Sequence, residues 1–342
     1  MSYTQFKDGY ALEAIWNTST ITTASDTAYL LGALSKRFKH PSPTATVHHG
    51  PTAVNARETA YIWKGAMDCI GAGSLVIQNG IPIFLVMGKS SSTGPVSGVY
   101  THTITPTTDG SANPSFTWHH ERTGTGTDWV VQFTGCKIAS LSLICSSNGR
   151  YLIGATNIMA GKAVDPNLDG TNALLDTDPA LPPTATTDPY KFAGMTRTWD
   201  YGSANTALNG LIEMELNISP DLESIHTANW TAGTWTGQWP YKIIEGARQK
   251  YEMTIQYVPE SDDLWDESVA LSNTKELYFK WAKSTNDYIA VTLTNCQIIS
   301  HPIVTPDQSL GTEDIGAVEV QIIPQSVSFT VVDSIAGGYY GE

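Results

Sequence analysis

Apolar and polar residues alternate along LIEMELNI (211–218), which puts Glu213, Glu215 and Asn217 on one face and Ile212, Met214, Leu216 and Ile218 on the other. A period of two marks a strand with one buried side. YEMTIQYV (251–258) repeats the pattern with Glu252, Thr254 and Gln256 on its polar face, and YIWKGAMDCI (61–70) does so with Lys64 and Asp68. Two longer alternating runs, WVVQFTGCKIASL ending at Leu141 and YIAVTLTNCQIISH ending at His301, each follow a polar turn. Two windows, NGIPIFLVMG (79–88) and DDLWDESVAL (262–271), predict short helices. Ser261 is the expected cap of the second, with Asp262 and Asp263 favourably placed in its first turn.

These elements recur in one order. Phe116-Thr-Trp118, the turn TGTGTD and a strand carrying T-x-C-x-I-x-S stand in the first half. Phe279-Lys-Trp281, the turn STND and a second T-x-C-x-I-x-S strand stand in the second. Strand, helix and hairpin therefore repeat, which predicts an internal duplication. The expected organisation is an irregular, threonine-rich arm at 1–55, a first domain at 56–160, a linker or long loop at 161–194, a second domain at 195–335 and a tail at 336–342. The linker is inferred from its five prolines, its many Asp and Thr and its weak apolar periodicity.

Composition fixes the class. Threonine is abundant, 15 Tyr and 10 Trp accompany it, and charged residues are only 15%. β-Branched and aromatic residues suit pleated, half-buried surfaces, so the fold is expected to be all-β, in two tandem domains each with a short helix. The net charge of -14 argues against a protein that grips nucleic acid, because that needs a basic footprint. No run of 18 apolar residues predicts a membrane span, and the first residues show no basic segment followed by an apolar one. Cys69, Cys136, Cys145 and Cys296 lack CxxC spacing and read as buried free thiols of a chain assembled in reducing cytosol.

The doubled unit resembles the major tail-tube proteins of long-tailed, siphovirus-like bacterial and archaeal viruses. The resemblance lies in the order of elements and in GCKIASLSL (135–143) followed by RYLIGATNIMAGKA (150–163). It lies also in ISPDLESIH (218–226) and in the G-x-x-x-x-Y-x-M run from Gly246 to Met253. It implies a structural virion protein without enzymatic activity, a β-sandwich with a flanking helix whose copies close an inner barrel and stack into a hollow conduit for genome delivery. It implies assembly in the host cytoplasm into the virion tail, with tape-measure and tail-terminator proteins as partners and DNA passing without sticking. The resemblance implies one domain per chain and sixfold rings for most members. A doubled chain is expected to close a trimeric ring with pseudo-sixfold symmetry, the alternative being a hexamer with one domain of each chain outside.

Candidate sites follow. Glu213, Glu215, Glu252 and Asp68 either line the lumen of such a tube or belong to an ordinary solvent face. Asp165, Asn167, Asp169 and Thr171, with Asp176 in twelfth place, match the D-x-N-x-D-G spacing of a calcium loop, so Ca²⁺ is the one cofactor considered. Against it stand Asx-turns in a polar linker, and a twelfth ligand shorter than glutamate. Trp230, Trp235, Trp239 and Tyr241 are expected to pack in a core or subunit interface, the rival being sugar stacking in a carbohydrate-binding β-sandwich adhesin. His48-His49 and His119-His120 are read as surface or interface residues, since neighbours on a strand point to opposite faces. No catalytic residues are assigned.

Overall fold

The computed structural model describes residues 5–49, 62–107, 113–123, 128–164, 174–227, 230–231, 234–235, 239–246, 249–259, 264, 268–269, 275–301 and 317–342. The first half runs β1 (Gln5–Leu12), β2 (Ala33–His49), β3 (Ile62–Val76), α1 (Ile81–Met87), β4 (Gly88–Val96), β5 (Val99–Pro106), β6 (Phe116–Thr123), β7 (Trp129–Ser146), β8 (Ile153–Ala160) and β9 (Lys162–Val164). The second runs β10 (Met195–Trp199), β11 (Thr206–Ala207), β12 (Leu211–Ser219), β13 (Leu222–Ile225), β14 (Trp230–Thr231) and β15 (Thr234–Trp235). It continues with β16 (Lys242–Glu245), β17 (Lys250–Tyr257), β18 (Lys275–Ser284), β19 (Asp287–Ser300), β20 (Val318–Ile323) and β21 (Ser326–Asp333). The fold is all-β, and every strand pairing is antiparallel.

Eight of these strands form one sheet across both halves, in the order β2-β3-β8-β7-β12-β17-β20-β19. The order β2-β3-β8-β7 recurs as β12-β17-β20-β19, and β7 joins β12 where the two quartets meet. Each half adds an outer sheet. β1, β6, the start of β7 and β9 make the first. β11, β10, β18, the start of β19 and β21 make the second. The β4–β5 hairpin, which leaves the first half after α1, pairs through β5 with β21 and so extends the second half's outer sheet.

β7 and β19 each serve two sheets, and the T-x-C motif is where they bend. Gly135 and Asn295, just before the cysteines, take positive φ (64° and 51°), and the pairing register slips on both sides of each motif. A bulge of this kind turns a strand and sharpens its twist. Cys136 and Cys296 point inward, each thiol on the carbonyl three residues back, Phe133 and Leu293, at 3.2 and 3.4 Å. The F-x-W repeat is different. Trp118 stands opposite Phe133, whereas the residue opposite Leu293 is Leu277 and not Trp281. The F-x-W pairs occupy different rungs, so that part of the sequence match has no structural counterpart.

One hydrophobic cluster runs through both halves, from Phe116 and Trp118 past α1 to Phe279 and Trp281. All seven residues of α1 are buried, and Gly88 (φ 95°) ends the helix in a left-handed cap. In the second expected helix Leu264, Ser268 and Val269 are helical, and Leu264 is buried; Ser261, Asp262 and Asp263 lie outside the described residues.

The described part of 1–55 is less irregular than its composition suggests, since β1 pairs with β6 over eight residues and β2 pairs with β3. The described part of 161–194 is a strap on the chain's own surface. Tyr190 is fully buried, its N–H on Ile77 O and its hydroxyl on Asp287, while Leu175 packs with Ile21 and Ala28. The tail folds back as well. Tyr340 is fully buried against Phe84 and His102, donates to Asp333 at 2.8 Å and accepts from the Gly80 N–H.

Candidate functional site

The eight-stranded sheet has one covered face. Leu141, Leu143 and Cys145 on β7, Met214, Leu216 and Ile218 on β12, and Met253 and Ile255 on β17 bury there against α1 and the outer sheets. The opposite face is bare. Because strand residues alternate, the ladder aligns the bare side in rows. Ser146, Glu213, Gln256 and Glu319 form one row, and Ile144, Glu215, Thr254 and Gln321 the next. Ser74, Ala155, Ser142, Asn217 and Glu252 form the third. Towards the first half the side chains shrink to Ala72, Ser74, Ala155 and Ser142, which line a shallow dip together with Asn157, whose amide donates to Ser140 at 2.7 Å.

Glu213, Glu215 and Glu252 therefore meet on one face, as the alternation predicts. Glu319 joins them; the short run VEVQII (318–323) carries the signal, with Val318, Val320 and Ile322 buried and Glu319 exposed. None of the four carboxylates is in an ion pair among the described residues. Ile212 departs from expectation. A bulge between Leu211 and Glu213 shifts the pattern, so Leu211 takes the buried place and Ile212 is half-buried.

Asp68 is spoken for by the second half. Its Oδ1 accepts from Ser224 Oγ (2.8 Å) and lies 3.0 Å from His226 Nε2, which fastens the β13 segment across β3. Close by, the buried Lys137 ammonium pairs with Glu245 at 3.0 Å. A cleft of about 480 Å³ opens at this junction, lined by Glu13, Trp16, Asn113, Lys137, Tyr241 and Lys242. Burial raises the Glu13 carboxyl above its ordinary range, although Gly135 N–H, Asn17 N–H and the Thr117 hydroxyl all donate to it and pull the other way.

Of the calcium-loop residues, Asp165, Asn167, Asp169 and Thr171 lie outside the described residues. Asp176 is exposed, with its N–H on Ala24 O. Among the described residues no three His, Cys, Asp or Glu side chains are placed to hold a metal ion. Trp230 and Trp235 stand opposite each other on β14 and β15, their side chains outside the described set. Trp239 packs on the main core and Tyr241 is 66% exposed. His119 and His120 are not surface residues. β1 and the segment around Ile21 cover them, and they are fixed by Glu121 and Gln132 on one face and by Asp8 on the other. His48 and His49 end β2, with side chains outside the described set. No described helix is long and apolar enough to cross a membrane.

A family model described as phage tail tube protein matches residues 1–331. The chain belongs to the phage tail tube protein family. It is thus a structural component of a virion tail, from a family that self-assembles into a tube. In this tail tube protein the sheet shared by both halves is covered on one face and bare on the other. No curated protein matches the chain.

Proposed function

We propose that this tail tube protein closes rings whose inner wall is the bare face of the eight-stranded sheet, and that stacked rings conduct the viral genome. The observation that carries this reading is the row pattern. One face is apolar and packed, while the other holds small polar side chains and Glu213, Glu215, Glu252 and Glu319, none of them in an ion pair among the described residues. DNA carries a negative charge per ~1.7 Å of axis, so acidic, small-featured walls repel the phosphates and leave little to grip. Eight strands closed on themselves leave an interior just wide enough for side chains. Three chains would bring 24 strands, which at about 4.8 Å spacing give a backbone diameter of at least ~37 Å, wider still with tilt.

The recurrence of β2-β3-β8-β7 as β12-β17-β20-β19, with the paired bulges at Cys136 and Cys296, supports a duplicated tube unit and hence three chains per ring. In this reading such rings assemble in the host cytoplasm around a tape-measure protein and end at a terminator. Cryo-electron microscopy of assembled tubes tests it. Three copies per ring with pseudo-sixfold symmetry and Glu213 and Glu215 facing the bore are expected. Six copies per ring would overturn the three-chain ring, and outward-facing glutamates the wall assignment.

A further inference from the structure

Among the described residues the eight-stranded sheet ends on two edges with no further strand paired to them: β2 pairs only with β3, and the last residues of β19 pair only with β20. The chain contains its own template for joining such edges, because β7 and β12 pair where the quartets meet, with Leu141 opposite Ile218. Cys136 and Cys296 align the two long strands, so Leu141 corresponds to His301 and Ser140 to Ser300. On the other side, Ile158 faces Gly71 as Ile322 faces Met253. Cys69 thus corresponds to Tyr251, and their partners Pro43 and Thr44 to Ile218 and Ser219. Of these residues His301 is half-buried, its Nε2 2.7 Å from the Tyr257 hydroxyl, and the others lie open. Ser42, Pro43, Thr44 and Ser300 are exposed, and Ile299 is 56% exposed where its counterpart Ala139 is half-buried.

The two joints are built differently. The internal one is braced by Asp68 on Ser224 and His226, by Lys137 on Glu245 and by the β4–β5 hairpin on β21. At the free edge Gln297 stands in place of Lys137, and only five residues separate Val269 from Lys275 where the first half inserts its hairpin. β2 also carries Pro41 and Pro43, which have no N–H to give to a ladder, where Ile218 has one. Prolines on an edge strand are a known guard against uncontrolled pairing.

We propose that chains join through β2 of one copy and the end of β19 of the next, His301 opposite Pro43 and Ser300 opposite Thr44. In this seam the prolines keep the chain-to-chain joint weaker than the internal one. The inference rests on the tube reading and gives the seam its partner, a second copy, and its register. Chains therefore enter the ring as intact two-half units, and a free edge does not zip up away from a growing tube.

The test uses full-length chain carrying Thr44→Cys and Ser300→Cys with a short bismaleimide, the native thiols being buried. Assembled tubes of the double variant should give covalent multimers on a denaturing gel, and either single variant none. Tubes that form without cross-linking would overturn the seam and leave the tube reading standing; absence of tubes from the unmodified chain would overturn both. Pro43→Thr, at an exposed position, should lower the concentration at which tubes appear by about fivefold or more, equivalent to about 1 kcal/mol per contact. An unchanged or raised threshold would overturn the role of the proline.

Discussion

Cys136 and Cys296 hold the same place in the two halves, each directly after a residue of positive φ and each with its thiol on the carbonyl three residues back. This shared bend lets one strand belong to an outer sheet at its start and to the common sheet at its end.

The thiols should be inert in the native chain. Burial pushes Cys69 and Cys296 up to about 12 and Cys145 to about 11, and raises Cys136 as well. Since the thiolate is the reactive form, titration with a chromogenic disulfide at pH 8 should find no accessible thiol until denaturant is added, and then four.

The bend has different tolerances on its two sides. Gly135 sits at φ 64°, and a Cβ there would meet Trp16 at 3.0 Å, so Gly135→Ala should cost about 1–3 kcal/mol and lower Tm by several degrees. Asn295→Gly retains access to the left-handed region and should move Tm far less. Thermal melts of both variants check the contrast.

Glu13 makes stability depend on pH in the less usual direction. A carboxyl whose folded pKa is raised binds its proton more tightly in the folded state, so its contribution favours folding below the unfolded pKa and is lost as pH rises through the folded one. Glu13→Gln removes that dependence. The Tm difference, variant minus parent, should therefore be more positive at pH 7 than at pH 4; a difference that does not change with pH would show that burial does not penalise the charge.

Charge on the proposed wall should matter for transport and not for folding. Glu213→Lys with Glu215→Lys keeps the long polar side chains on the bare face, so tubes should still form, while phosphates would be held where they are now repelled. Virions carrying the pair should release their genome at least several-fold more slowly in a dye-uptake assay, and the defect should shrink as salt rises.

Much of the bare acidic face is legible along the chain. A strand repeats every two residues, so Glu213, Glu215 and Glu252 could be placed on a common kind of face before any partner was known. Glu319 was harder, because its run spans only six residues and is preceded by a stretch without periodicity. The burial of the histidines is not legible for a related reason. Alternation told that His119 and His120 point to opposite faces, but not that β1 and the segment near Ile21 would cover both.

Neighbours along the chain dictate the all-β class, the helix at Ile81–Met87 and the two-faced strands, whereas the bend at T-x-C lies inside what the pattern reads as a single strand. Tertiary structure alone decided what depends on distant segments meeting. β7 pairs with β12, so the halves share one sheet and one core instead of standing as separate lobes. The β4–β5 hairpin leaves its own half for β21, and Asp68 is taken by Ser224 and His226 from more than 150 residues away. Local pattern fixes which face of a strand is apolar, because adjacent side chains alternate. It cannot fix which edge finds which, because backbone hydrogen bonds are the same in every strand and the choice falls to packing and register across the whole fold.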